Sequence, residues 1–198
     1  MIITISRQFG SGGRELAKRL AEKLGYNYYD KVILEEVAKE SSLDENYIEK
    51  VLSSSNPTPY ITGCTFSYSM MHRHATDIVF LQQKVMDKLA KKGNAIFVGR
   101  GAEVLLKEYN PFRIFVYTTL EKRLSRTLDN LKDGEDSREK TMLKKIKQID
   151  KERIKTCRML GFEWGKKEHY DLCVSTEKIS PKELADVIFD YLQKLIKD

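Results

Sequence analysis

The residues best suited to chemistry in this sequence are glycines and arginines, and the chemistry they suit is the handling of phosphate. Gly10, Gly12 and Gly13, with Ser11 among them, form the loop "QFGSGGRE". It lies between an apolar run, Met1 to Ile5, and a segment where Leu16, Ala17, Leu20, Ala21 and Leu24 recur at helical spacing. Glycines at a strand–helix junction let the backbone approach an anion, which successive N–H groups and the helix N-terminus then hold. Arg7 and Arg14 flank the loop. Arg100 follows another apolar run in "AIFVGRGAEVLL", where Gly99 and Gly101 leave room for a ligand. Arg153 and Arg158 lie on a basic stretch, and Arg123 and Arg126 precede it. Phosphoryl transfer needs several cations, because charge on the group in flight must be neutralised.

Spacing alone leaves three readings of the loop open. In a phosphate loop with Gly12 as second glycine, the first glycine falls on Arg7, the lysine on Gly13, its neighbour on Arg14 and the hydroxyl on Glu15. A dinucleotide loop, GxGxxG, fits at Gly10 and Gly12 but meets Glu15 at the third glycine; Asp30 then stands where a ribose-binding acid belongs. The third reading is a tight turn without a ligand, against which three glycines within four residues weigh. A dinucleotide enzyme does not need a basic segment near its C-terminal third, so the rest of the chain favours phosphoryl transfer.

Composition bounds the remaining possibilities. The chain has 198 residues, 41% of them apolar, which suits one domain with a substantial core. No run approaches the ~20 apolar residues of a membrane helix, and the N-terminus lacks a signal pattern; a cytoplasmic protein is expected. Cys64, Cys157 and Cys173 are odd in number and widely spaced, which indicates neither a disulfide framework nor a zinc site. His72 and His74 have no further ligands near them in sequence. Net charge is +6, and residues 137–158 carry nine Lys/Arg against three Asp/Glu, so this one segment holds the whole surplus. Even charge elsewhere and the lack of an aromatic stripe argue against a nucleic-acid binder.

The elements that must position these groups alternate along the chain. Short apolar runs predict strands at 2–6, 26–29, 95–99, 113–117 and 171–175. Asp30 is placed to cap a helix through about 41, or to meet a ligand, and Asp44 to cap the next. A long helix is expected over about 71–92. Thr118 with Glu121, and Ser180 with Glu183, form capping-box patterns. Loops are expected at 53–69, 132–137 and 161–170. Trp164, in the last of these, is expected to pack beside Tyr170, with stacking on a base as the alternative. Alternating strands and helices imply an α/β fold with a parallel sheet covered on both faces.

The segments "ITISRQFGSGGRELAKRLAEKLGYNYYDK", "AIFVGRGAEVLL", "FRIFVYTTLEKRLSR", "IDKERIKTCRMLGFEWGKKEHYDLCVST" and "ISPKELADVI" together resemble the cytidylate kinase-like family of P-loop nucleoside monophosphate kinases. The resemblance implies a three-layer α/β/α sandwich of the P-loop NTPase type, with a five-stranded parallel sheet and a helical lid. It implies a single domain over 1–198, a phosphate loop at 7–15, an acceptor-binding subregion about 30–75 and a lid about 133–165. The implied reaction moves the γ-phosphoryl group of ATP, with Mg2+, to a nucleoside monophosphate. Arg100 would hold the acceptor's phosphate, Arg153 and Arg158 would close over the transferred group, Arg123 and Arg126 would lie toward the donor, and Asp30 would sit at the acceptor pocket. Cytidylate kinases proper have the loop lysine and a following hydroxyl residue, and "GRD" where this chain has "GRG" at 99–101. Asp30 is followed by "KVILEE" rather than by their Ser-Gly and Tyr-Arg. On this mapping Arg7 or Arg14 replaces the lysine and Glu15 helps place magnesium. The competing expectation is a non-catalytic nucleotide or phosphate sensor on the same scaffold.

Overall fold

A computed structural model describes residues 1–53, 65–131 and 138–197. The expected loops at 53–69 and 132–137, and Cys64, fall largely or wholly outside the described residues, as do the side chains of His72 and His74. The strands are β1 (Ile2–Arg7), β2 (Asn27–Tyr29), β3 (Ala95–Val98), β4 (Phe112–Tyr117) and β5 (Leu172–Ser175). They form one sheet in the order β2-β3-β1-β4-β5, with every pairing parallel.

Alternation along the central strands builds two cores. Ile3 and Ile5, with Ile96, Val98, Ile114 and Val116, face α1 (Gly13–Leu24) and α8 (Pro181–Lys197). Ile2, Ala95 and Phe97 face the opposite way, toward α2 (Lys31–Ser41), α3 (Glu45–Ser53), α4 (Thr65–Ala90) and α5 (Ala102–Leu105). The three-layer sandwich follows, since each central strand buries side chains on both faces. Leu16, Ala17, Leu20 and Ala21 of α1 are buried at helical spacing, and Gly25 closes that helix in the left-handed region at φ 66°.

Helix ends decide where side chains are free for other work. Ser180 and Glu183 form the reciprocal capping box expected of them. Asp44 caps α3 through the N–H groups of Asn46 and Tyr47. The other two expectations need correction. α6 (Leu120–Asp129) is capped by Thr119, one residue later than expected, and Glu177 accepts from the hydroxyls of both Thr118 and Thr119. Asp30 occupies the N-cap position of α2, yet its side chain makes no capping bond. α4 begins at Thr65, before the expected residue 71.

Because the sheet is parallel, the C-terminal ends of its strands converge on one edge. Arg7, Asp30, Arg100 and Thr176 all lie there; the chain runs from β1 to β2 and β3 on one side of it, then crosses from β3 to β4 on the other. Open α/β sheets bind ligands in the crevice at such a switch point. α7 (Glu139–Met159), the basic helix, lies over this edge and packs on α6 and α3. Among the described residues no helix is long and apolar enough to cross a membrane.

Candidate active site

The loop after β1 has its oxygens tied down and its N–H groups left open. The carbonyl of Arg7 accepts from Arg153 Nη1 at 2.7 Å, and that of Gln8 from Ser11 Oγ at 2.8 Å. The carbonyl of Phe9 accepts from Arg123 Nε at 2.6 Å, that of Gly10 from Arg126 Nη1 at 3.0 Å, and that of Ser11 from Thr176 Oγ1 at 2.7 Å. Gly10 and Gly12 take φ of 78° and 81°, which turns the chain into α1. Among the described residues the N–H groups of Gly12, Gly13 and Arg14 have no hydrogen-bond partner. Open donors at a helix N-terminus, beside oxygens drawn elsewhere, are the polarity an anion requires.

Asp150, on α7, locks this arrangement. Its Oδ1 accepts from Phe9 N–H at 2.8 Å and from Arg153 Nη1 at 3.2 Å, while Oδ2 pairs with the guanidinium of Arg123. One carboxylate thus joins the loop, α6 and the basic helix. Arg153 is three residues away in sequence, whereas the contact to Phe9 spans 141 residues.

Beside the loop opens a cavity of about 510 Å³, into which Arg7, Arg14, Arg100 and Arg153 all project. The course of Arg7 explains two glycines. A Cβ at Gly13 would lie 2.6 Å from Arg7 Cβ, and a Cβ at Gly99 would lie 1.7 Å from Arg7 Nη1. Arg7 therefore runs over Gly13, the position a loop lysine would hold, and delivers its guanidinium between the ends of β1 and β3. Gly99→Ala should drive that guanidinium out, in a backbone conformation (φ +68°) that also strains alanine. The expected outcome is a lower melting temperature and weaker ATP binding, read by thermal unfolding and calorimetry.

Asp30 balances part of the charge. Its carboxylate lies 2.5 Å from Arg14 Nε and 3.8 Å from Arg7 Nη2, and Tyr28 donates a long bond to it at 3.4 Å. Burial, then Asp30, pushes Tyr28 up to about 12, so it stays a neutral donor. Arg100 sits in the left-handed region at φ 63°, a strained conformation for a non-glycine residue, with its carbonyl held by Gln82 at 2.8 Å. Its guanidinium reaches Glu49 at 3.5 Å rather than nearby Glu103. Glu49 is mostly exposed, so this pair is a weak tie.

The remaining arginines carry stored electrostatic cost. Burial, partly offset by Asp30, lowers the pKa of Arg7; burial and then Arg7 push Arg153 down to about 9. Arg153 remains charged at neutral pH, and the surroundings of both guanidiniums disfavour the charge. An anion entering the cavity would relieve that penalty.

Not every expected residue comes to this cavity. Arg123 and Arg126 hold the loop's carbonyls and do not line it, although Arg126 lies against Gly12, where a Cβ would meet its guanidinium carbon at 3.3 Å. Arg158 is exposed and lines a separate depression with Phe162, Glu163, Trp164 and Lys166. Trp164 also borders the main cavity and packs edge-on against Phe115 at 5.2 Å, which in turn contacts Tyr170. Glu15 turns away to pair with Arg19 at 2.8 Å, and no group of three or more metal-ligating side chains occurs among the described residues. Glu15 is thus engaged with Arg19 and does not line the cavity. Glu103, Cys157 and Gln82 line the cavity without having been singled out for it. Glu103 stands in "GRGAEV", three residues after Arg100, a spacing that suggests only an ion pair with that arginine.

The fold has counterparts in known proteins. No curated protein sequence matches the chain. An uncharacterized protein from Eubacterium ventriosum is similar in structure, with 28% identity, 98% of each chain covered and a TM-score of 0.70. Shikimate kinase from Aquifex aeolicus (20% identity, 99% of this chain and 98% of that one, TM-score 0.52) shares the fold. So does shikimate kinase from Bacteroides thetaiotaomicron (12% identity, 100% and 99% covered, TM-score 0.55). The cytidylate kinase-like family model matches residues 2–178. With a P-loop kinase fold and nearly its whole length matched, the chain belongs to the cytidylate kinase-like family.

Proposed function

We propose that this chain is a kinase that moves the γ-phosphoryl group of ATP to a nucleoside monophosphate or a related small anionic molecule. The observation that carries this reading is the loop over residues 7–11. All five of its carbonyls are engaged, while the N–H groups that follow stand open beside a cavity with four arginines. The whole chain would act as one domain, with an acceptor-binding subregion about 30–75 and a lid about 133–165.

The donor's phosphates would lie on the N–H groups of Gly12, Gly13 and Arg14, with Gly10 and Ser11 shaping the turn. Arg7 supplies the charge of the absent lysine. Arg14, which is largely exposed, would exchange Asp30 for a phosphate oxygen. Arg100 would hold the acceptor's phosphate near Asp30. Arg153 would neutralise the group in flight, fixed by Asp150 and by the Arg7 carbonyl. Arg126 would lie toward the donor, with Arg123 behind the loop. ATP supplies the phosphoryl group; any magnesium would be held by phosphates and water, and no step is assigned to it. Holding α7 over the site would keep water from the phosphoryl group.

The test is a transfer assay with ATP and a panel of nucleoside monophosphates, with products identified by mass. Formation of a diphosphate from at least one acceptor, faster than ATP hydrolysis without acceptor, is expected. Binding of ATP without turnover on any acceptor would instead identify a phosphate sensor.

A further inference from the structure

Among the described residues, two buried side-chain polar atoms lack a hydrogen-bond partner, Thr4 Oγ1 and Glu103 Oε2. Thr4 is inside the sheet, away from the cavity. Glu103 is 4% exposed and lines the cavity that holds the four arginines. Its other oxygen is fully used: Ser6 Oγ donates to Oε1 at 2.8 Å, and the Cys157 thiol donates at 3.7 Å. Burial and then Glu103 push the Cys157 thiol up, so it remains a donor. Ser6 belongs to β1 and Cys157 to α7, so the carboxylate is gripped from two sides. Arg100, three residues away, pairs with Glu49 instead. A buried carboxylate oxygen held in place with no donor is an unmet demand, and native structures satisfy nearly all such groups.

We propose that Glu103 determines acceptor specificity: its Oε2 takes a hydrogen bond from an O–H or N–H group on the nucleoside part of the acceptor. This rests on the phosphoryl-transfer reading and deepens it. A carboxylate repels phosphate, so it cannot serve the end of the acceptor that the arginines hold. It selects for a compound that is anionic at one end and donates a hydrogen bond at the other. An analogue lacking the donor leaves Oε2 desolvated and unpaired, which is the arrangement that discriminates most sharply.

The experiment uses the full chain and probes that differ in the donor they present: CMP (N4–H) with UMP (N3–H), AMP (N6–H) with IMP (N1–H), and each ribonucleotide with its 2′-deoxy form, which lacks the 2′-hydroxyl. Affinities are measured by calorimetry. In at least one pair the member whose donor reaches Oε2 should bind about tenfold tighter or more, the range of a charge-assisted hydrogen bond. Glu103→Gln, which keeps the shape but can present N–H, should bring that ratio to within about threefold. If it fails to fold, as read by thermal unfolding, Glu103→Asp takes its place, since it retracts the carboxylate and should shrink the same ratio. Equal binding within every pair, or a ratio that neither variant changes, overturns the role of Glu103 and leaves the transfer reading standing. Binding of no monophosphate at all overturns the nucleoside monophosphate as acceptor, and the role of Glu103 with it.

Discussion

Arg7→Ala should weaken ATP binding by about 10–100-fold, the worth of ~1.5–3 kcal/mol for a hydrogen bond to a charged group. The reason is spatial. Arg7 begins where a phosphate loop normally has glycine, passes over Gly13, and ends in the cavity beside Arg14 and Asp30. The usual loop has a small residue at the first position and a long cation at the second; here the two have traded places. Gly13→Lys alone should therefore fail, because its Cβ would lie 2.6 Å from Arg7 Cβ. Arg7→Gly combined with Gly13→Lys should bind ATP more tightly than Arg7→Gly does. Calorimetric titration of the wild type and these variants reads the outcome. Unchanged affinity in Arg7→Ala, or no gain in the combined variant, would mean that Arg7 is not the lysine's counterpart.

Asp150→Ala should destabilise the protein by about 3–5 kcal/mol, as expected when a buried ion pair loses one partner and leaves the other charge uncompensated. Arg123 has only 9% of its side chain exposed and would lose its carboxylate, and Phe9 N–H would lose its acceptor. For a chain of this size each kcal/mol moves Tm by about 2–4 °C. Asp150→Asn keeps an acceptor for Phe9 but not the charge, and should fall between the wild type and alanine. Because Asp150 also orients Arg153, any phosphoryl transfer should drop further than the loss of folded protein explains. A melting curve within 1 °C or so of wild type for Asp150→Ala would contradict the clamp.

The sheet was legible because its central strands are buried on both faces. Ile2 to Ile5 and Ala95 to Val98 need apolar side chains at nearly every position, so the runs stand out without any periodicity. Caps were legible where the side chain had one claimant, as at Ser180, and misplaced where it had two. Glu177 lies 58 residues from Thr119 and draws on its hydroxyl. Asp30 shows the same limit: a carboxylate before a helix looks like a cap, but two arginines claim it from the loop. The arginines themselves were visible as a set, not by task. Arg153 faces the cavity and Arg123 faces a carbonyl, and nothing in local spacing separates the two. Gly13 looked like a missing lysine and Gly99 like room for a ligand; both are clearance for Arg7.

The most direct test is a crystal structure with a non-hydrolysable ATP analogue. The account predicts phosphate oxygens within hydrogen-bond distance of the N–H groups of Gly12, Gly13 and Arg14, with the Arg7 guanidinium on the same phosphates. Phosphates seated elsewhere, on the lysines of α7 or in the depression at Arg158, with the loop N–H groups left open, would contradict it.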